Sequence, residues 1–342
     1  MAHVRFLYPD RSSSLGGNAA TAGRLAEALK GRGHVCSVQA IARDASSEEV
    51  LRGGLDADAP AADVLIALHA VDCAPATQSV AAESKLPWVV VFPGTDLNGK
   101  PSRAAVAAVA EADAAIALAP HARKRATEIF DRKDIEILPQ AARALPEPRG
   151  GAPLPKHAPT LPPDAFLIVQ PTGIRSVKAP SVGVEALAAL AKEEPRLRLW
   201  IAGPELEPAE AMRLRETLAA HPWAEWLGPL EKQELAGAVR RADLVLSTSR
   251  SEGAAPNSLL EAALFSKPIL ASDIAAHRFF PGPGHLFRDA RELRRAVRTQ
   301  MEEPGKAALA GRQLREVTRT KFDRVREAVA WDRLVARVMG TS

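Results

Sequence analysis

Two glutamates, Glu252 and Glu261, enclose Gly253 to Leu260 within SRSEGAAPNSLLEAALFSKPILASD, the segment from Ser249 to Asp273. Carboxylates placed across a loop and a helix start can accept hydrogen bonds from hydroxyl groups. Pro256 presets its own φ, Asn257 or Ser258 can cap a helix, and the helix then expected over Ser258 to Phe265 turns its unpaired N–H groups toward an anion such as a diphosphate. Glu261 falls about one turn inside that helix, where it can accept hydrogen bonds from a ribose. The apolar run Asp243 to Ser247 just ahead reads as a buried parallel strand, and ligands of open α/β sheets sit at strand exits of this kind.

Three further segments carry polar residues at strand exits. In Gly173-Ile174-Arg175-Ser176-Val177-Lys178-Ala179-Pro180, two cations three residues apart can converge on one diphosphate, Arg as a planar fork and Lys as a point charge. The plain alternative is a pair of solvated surface charges. In Leu15-Gly16-Gly17-Asn18-Ala19-Ala20-Thr21, Gly16 and Gly17 let the backbone approach a bound group, although a simple strand-to-helix turn uses the same residues. The spacing is not G-x-G-x-x-G, and no acidic residue ends the second strand, which disfavours a dehydrogenase. His69 follows the run Val64 to Leu68, and Gly94-Thr95-Asp96-Leu97-Asn98 follows Trp88 to Phe92. His69 can bond a sugar hydroxyl or a neighbouring carbonyl; Asp96 can serve a ligand, an Asx turn, or a helix cap before Pro101.

The elements that must position these groups repeat in two halves. Short apolar runs at Val4 to Tyr8, Val35 to Gln39, Val64 to Leu68, Trp88 to Phe92, Ala114 to Leu118 and Ile135 to Leu138 alternate with helical patterns. A second set runs through Phe166 to Val169, Leu197 to Ala202, Trp226 to Leu227, Leu244 to Ser247 and Ile269 to Ala271, with helices near Val182 to Lys192 and Pro208 to Ala220. Eight prolines between Pro139 and Pro163 exclude sheet or helix interior there. The expected organisation is therefore an α/β domain over 1–150, a linker over 151–163, a second α/β domain over 164–320, and a C-terminal helix in 321–342.

Composition sets outer bounds. At 342 residues, 46% hydrophobic and 25% charged, the chain describes a soluble globular protein of two domains. The net charge is only 45 − 41 = +4, and no nucleic-acid motif accompanies the arginines, so no nucleic-acid partner is expected. Arg288, Arg291, Arg294, Arg295 and Arg298 read as the solvated face of an amphipathic helix; contact with an anionic membrane surface is the less favoured reading. MAHVRFLYPD lacks a signal peptide's basic start and apolar core, which points to a cytoplasmic protein. Cys36 and Cys73 have no metal spacing and are expected reduced and buried.

The block Pro256 to Ala262, with Glu252, Gly253 and the strand ending in Ala271-Ser272-Asp273, resembles the C-terminal signature of the retaining glycosyltransferases of family 4, the glycosyl transferases group 1 class. That family usually places seven residues between its glutamates; here there are eight, and the extra one is expected in the loop at Ala254 or Ala255. The strings G-N-A-A-T-A, A-L-H, G-T-D-L-N and I-R-S-V-K resemble most closely the glycosyltransferase 1 domain-containing protein group. A-L-H-A and G-T-D-L are more loosely similar to bacterial selenosugar synthases.

This resemblance implies a GT-B fold: two Rossmann-like domains facing across a cleft, with the helix around Phe322 to Met339, including Trp331, bracing the first. It implies transfer of a hexosyl group from a nucleoside diphosphate sugar, in the uridine form, with retention. Glu261 would hold the ribose, and Glu252 would face the donor sugar, with Gly253, Asn257 and Ser258 around the donor. Arg175 and Lys178 would hold the leaving diphosphate, Ala179 standing where relatives often carry Gly or Asp. Gly16 and Gly17 would close over the donor phosphate, Asn18 and Thr95 would lie on the acceptor side, and His69 and Asp96 would orient sugar or acceptor. The acceptor is not identified. Asp56-Ala57-Asp58 matches the metal-binding D-x-D of the other major glycosyltransferase fold, but it precedes a strand instead of following one, so no metal and no cofactor are expected. An epimerase or hydrolase of the same fold is the enzymatic alternative. A non-catalytic nucleotide-sugar-binding protein is the other, favoured by the longer glutamate spacing.

Overall fold

The computed structural model describes residues 1–10, 17–42, 44–52, 61–146, 154–280 and 285–340. Gly16, the Asp56-Ala57-Asp58 motif and residues 147–153 of the proline-rich stretch lie outside the described residues. The chain divides into two units, Met1–Ala141 with Phe322–Ser342, and Ala142–Lys321. The division thus falls ahead of the prolines expected to form the linker.

The first unit runs β1 (His3–Pro9), α1 (Gly17–Lys30), β2 (Val35–Ile41), α2 (Ser47–Arg52), β3 (Val64–Leu68), α3 (Ala74–Ser84), β4 (Trp88–Phe92), α4 (Arg103–Glu111), β5 (Ala114–Ala117), α5 (Pro120–Phe130) and β6 (Ile135–Ile137). Its strands form one parallel sheet in the order β2-β1-β3-β4-β5-β6. β3 and β4 are buried at every position, which is why they read as unbroken apolar runs.

The second unit continues with β7 (Phe166–Pro171), α6 (Pro180–Glu193), β8 (Leu197–Ala202), α7 (Pro208–Ala219), β9 (Ala224–Trp226), α8 (Lys232–Arg241), β10 (Leu244–Ser247), α9 (Asn257–Leu264), β11 (Ile269–Ser272), α10 (Ala275–Phe279), β12 (Leu286–Phe287), α11 (Ala290–Glu302) and α12 (Pro304–Lys321). The sheet order is β12-β11-β10-β7-β8-β9, all parallel. Ile168, Leu187, Leu199, Ile201, Leu246 and Leu293 lie at its core. The order reverses between β7 and β10, and in doubly wound sheets that switch point opens a crevice beyond the strand ends. β12 and α12 answer to no expected element: a strand of two residues is too short for a pattern to register.

Two close approaches shape this unit. A Cβ on Gly203, whose φ is +156°, would come within 1.9 Å of the Thr172 carbonyl oxygen, so the exits of β7 and β8 meet only because no side chain stands there. A Cβ on Gly311 would lie 2.1 Å from the Ser266 carbonyl oxygen, so α12 rests directly on the turn that ends α9. Among the described residues, no helix is long and apolar enough to cross a membrane.

The last helix, α13 (Arg324–Val338), belongs to the first unit and packs on α1. Its anchor is electrostatic as well as apolar. Glu327, 1% exposed, pairs with the buried Arg24 of α1 and accepts a hydrogen bond from the Ala141 N–H at 2.9 Å. Trp331 is fully buried beside it in sequence, and Asp332 takes up Arg32 and His34 at 2.9 Å each. Removing one partner of a buried pair strands the other's charge. Glu327→Ala is therefore expected to lower unfolding free energy by about 3 kcal/mol or more in urea titrations, whereas Arg24→Met with Glu327→Leu loses much less.

Candidate functional site

The crevice at the β7/β10 switch point collects the charged residues singled out in the second unit. β10 is registered on β7 through Leu244 with Ile168 and Val245 with Val169. Asp243 secures that register by accepting the Leu167 N–H at 2.8 Å. Beyond the strands, the two exit loops are fastened together. Gln170 Nε2 donates to Thr248 Oγ1 at 2.7 Å, and the Thr248 hydroxyl lies 3.0 Å and 2.9 Å from the carbonyls of Lys178 and Ala179. The Arg250 N–H donates to the Val177 carbonyl at 2.8 Å.

This fastening brings Lys178 against Glu252, and the two form an ion pair with side chains 15% and 12% exposed. The Ser249 hydroxyl donates to Glu252 Oε1 at 2.8 Å. Burial alone would raise the Glu252 pKa, but Lys178 and Ser249 more than offset it and hold the carboxylate below its ordinary range. Burial pulls Lys178 down from its ordinary value, with the Glu252 charge opposing. Arg175 stands one turn before Lys178, whose N–H bonds the Arg175 carbonyl at 2.9 Å. Its Nε is buried with no hydrogen-bond partner among the described residues. A concentrated positive charge with an unmet donor is what an anion would satisfy.

Ala179 adopts a left-handed conformation, φ 44° and ψ 54°, as the N-cap of α6. Glycine enters that region freely and alanine does not, so Ala179 holds a strained conformation at the start of α6. The loop after β8 shores up the same turn: Glu207 accepts the Ser176 N–H at 2.8 Å.

α9 is unbroken from Asn257 to Leu264, with Ala254 and Ala255 both buried in the preceding loop. Of the eight residues between the glutamates, Gly253 to Pro256 therefore lie in the loop and Asn257 to Leu260 in the helix. Its N-cap is Pro256, without a side-chain cap, so the capping role expected of Asn257 or Ser258 is corrected: Asn257 is already the first helical residue. A proline there presets the chain direction and has no side-chain acceptor to offer the first-turn N–H groups. Glu261, on α9, is pushed up to about 7 by burial, opposed by the charges of Lys232 and Arg143. It is thus set apart from Glu252: one carboxylate is ionised and paired, the other titrates near neutrality. Gly253 lies half-buried in the loop directly after Glu252.

In the first unit, His69 and Asp96 do come together, at the adjacent exits of β3 and β4. His69 is 2% exposed with φ 128°, a strained value for a non-glycine residue. Its Nδ1 lies 3.1 Å from the Asp72 backbone nitrogen and 3.3 Å from Asp72 Oδ2, and its Nε2 lies 3.0 Å from Thr95 Oγ1. Asp96 is buried, and its two carboxylate oxygens accept the N–H groups of Ala70 and Gly94 at 3.0 Å each. Burial raises its pKa while His69 and these N–H groups oppose the shift. Asp96, expected to orient sugar or acceptor, also acts as a clamp: a carboxylate engaged by backbone donors on both oxygens ties the two exits together. Gly17 opens α1, a Cβ added there would meet no atom within 4 Å among the described residues, and Asn18 follows it half-exposed.

Sequence reasoning passed over Ser247, Thr248, Ser249, His277 and Lys232. The polar string Ser247-Thr248-Ser249 after an apolar strand was a usable signal. Nothing in the spacing pointed to His277 or Lys232, because α10 and α8 meet this site only through the tertiary fold.

Comparisons with known proteins agree with this geometry. Residues 167–303, most of the second unit, match the family model described as Glycosyl transferases group 1. The chain is 24% identical over 313 residues to a Xenopus tropicalis protein named glycosyltransferase 1 domain-containing protein 1, covering 84% of this chain and 85% of that one. In fold it is similar to Anabaena HepE solved with UDP-glucose, with a TM-score of 0.76, 15% identity, and 98% and 100% of the two chains covered. It is similar also to sucrose-phosphate synthase from Thermosynechococcus elongatus, with a TM-score of 0.73, 16% identity, and 100% of both chains covered. The two six-stranded units are those of the GT-B fold, and residues 167–303 of the second match the glycosyl transferases group 1 model.

Proposed function

We propose that this protein transfers a hexosyl group from a UDP-sugar to an acceptor hydroxyl, with retention at the anomeric carbon and without a metal or cofactor. The observation that carries the reading is the convergence of Arg175, Lys178 and Glu252 at the β7/β10 switch point, five residues ahead of the start of α9. That Anabaena HepE was solved with UDP and with UDP-glucose supports the choice of uridine and of a hexose.

In this reading Arg175, Lys178 and the first N–H groups of α9, around Asn257 and Ser258, stabilise the diphosphate as it leaves. Glu252 accepts hydrogen bonds from the donor sugar beside Gly253, and Glu261 accepts them from the ribose. The bond from the anomeric carbon to the diphosphate oxygen breaks, the acceptor oxygen bonds to the same face, and its proton passes to the departing phosphate. His69 and Thr95, held by the Asp96 clamp, serve the acceptor or the sugar, with Gly16, Gly17 and Asn18 at the first helix start. The longer glutamate spacing remains the feature that favours a non-catalytic nucleotide-sugar-binding protein as the second reading.

An Arg175→Ala, Lys178→Ala double variant is expected to bind UDP at least about a hundredfold more weakly by titration calorimetry, since each charge-assisted hydrogen bond contributes about 1.5–3 kcal/mol. Undiminished affinity in that variant would rule the assignment out.

The folded-state pKa of Glu261, about 7 against an ordinary 4.5, lies above its unfolded value. This group therefore subtracts stability progressively as pH rises from 4.5 to 7, and a ligand that needs its carboxylate form gains over the upper part of that window. UDP-glucose, whose diphosphate diester does not titrate there, is expected to bind up to about tenfold more tightly at pH 8 than at pH 6. Glu261→Gln should flatten that dependence; a slope unchanged in the variant would show that another group is responsible.

A further inference from the structure

Arg175 and Lys178 leave the same strand, yet their charges are met differently. The Lys178 ammonium is already neutralised by Glu252, the one carboxylate paired with it among the described residues, and both side chains are largely buried. Arg175 Nε is buried with no hydrogen-bond partner among the described residues. The charged and polar groups facing this pair are few. Arg175 faces Lys178, while the Ser249 hydroxyl and the buried His277 face Glu252.

A crevice holding the two cations alone would prefer the more negative of two ligands. UDP ends in a phosphate monoester, whose second ionisation falls at about pH 6; the diphosphate diester of a UDP-sugar lacks that ionisation. At neutral pH a purely cationic site would therefore hold the nucleotide left after transfer more tightly than the donor. Glu252 opposes that preference. To engage a diphosphate, Lys178 must turn its N–H groups away from the carboxylate or share them with it. Either way the anion meets a negative charge at ion-pair distance, poorly screened because the site is partly buried. A bound sugar compensates, since its hydroxyls donate to the lone pairs of Glu252 that Lys178 vacates. UDP brings no such hydroxyls to that carboxylate.

We propose that Glu252 is the resident counter-ion of Lys178, with which a diphosphate must compete, and that this competition biases the crevice toward a nucleoside diphosphate sugar and against the nucleoside diphosphate left after transfer. The inference rests on the donor-site reading above. It adds a second role to the sugar contact: when the sugar departs, the carboxylate returns to Lys178 and loosens the hold on UDP.

Titration calorimetry with UDP and UDP-glucose tests this on the full chain, with circular dichroism and melting curves establishing that each variant is folded. Burial draws Lys178 below its ordinary value, so the titrations are run at pH 6, which favours its ammonium form once Glu252 is gone. Comparing variant with wild type at one pH removes the titration of the ligand from the result. Glu252→Gln keeps the side-chain shape, and Glu252→Ala also removes any amide that could itself donate to a phosphate. Both are expected to bind UDP about tenfold more tightly than the wild type, while the ratio of UDP-glucose to UDP affinity falls at least about tenfold. In a Lys178→Ala background the same substitutions should no longer tighten UDP, because no ammonium remains to be released. A merely structural role for Glu252 would weaken both ligands. UDP affinity unchanged or weakened in either variant, or tightened as much in the absence of Lys178, would overturn the proposal. If the wild-type chain binds neither ligand, the donor reading fails and the counter-ion role fails with it. If it binds both and the variants gain no UDP affinity, only the counter-ion role fails.

Discussion

The site in the second unit depends on one pairing, that of β7 with β10. Two strands and three helices separate these strands in the chain, yet they are hydrogen-bonded neighbours in the sheet. A parallel sheet that grows first to one side and then to the other must leave two adjacent strands whose following helices depart to opposite faces, and the space between their exits cannot be filled by either helix. Arg175 and Lys178 leave β7 there; Ser249 and Glu252 leave β10. Thr248 converts this adjacency into a fixed distance, since its hydroxyl reaches the carbonyls of both Lys178 and Ala179. Without that fastening, two long charged side chains would gain little by meeting at a protein surface. Held in a partly buried crevice, they form a pair whose charges are poorly screened and whose donors remain strongly attracted to a multivalent anion.

The two units use the same architecture with different local economies of hydrogen bonding. At the β3/β4 exits of the first unit, the polar groups mostly satisfy each other: Asp96 takes two backbone N–H groups, and His69 is held at both ring nitrogens. That arrangement makes a rigid surface, and the positive φ of His69 records the strain its surroundings sustain. At the β7/β10 exits of the second unit, Arg175 Nε is buried without a hydrogen-bond partner among the described residues and α9 begins without a side-chain cap. Donors of this kind can be satisfied by an anion. The support for them comes from behind: α12 rests on the turn after α9 at Gly311, and the exits of β7 and β8 close up at Gly203.

Most of the framework was legible in the amino-acid order. Val64–Leu68, Trp88–Phe92, Leu197–Ala202 and Leu244–Ser247 are strands with the expected limits, because a strand covered on both faces must be apolar throughout and so announces itself. α9 was legible for a different reason, since proline followed by Asn-Ser and an apolar run starts a helix whatever surrounds it. The parts that escaped notice have short or ambiguous local signals. β12 spans two residues, and α12 is amphipathic without a capping motif to mark its start. Asp96 carried an ambiguity that no spacing could resolve, because a carboxylate after a turn glycine serves equally well as a ligand group or as an acceptor for nearby N–H groups.

The sequence by itself determined the local elements, the alternation that makes each unit a doubly wound sheet, and the chemical types present at the strand exits. Those depend on periodicity, on proline and glycine, and on side-chain chemistry within a few residues. Only the tertiary structure decided that Lys178 faces Glu252, that His277 and three serines stand behind that carboxylate, that Glu261 titrates near neutrality while Glu252 stays ionised, and that Glu327 reaches back to Arg24. Each of these is a relation between residues far apart in the chain, governed by burial and by distance through space. No local pattern encodes either quantity, because both arise only when the strands have taken their places in the sheet.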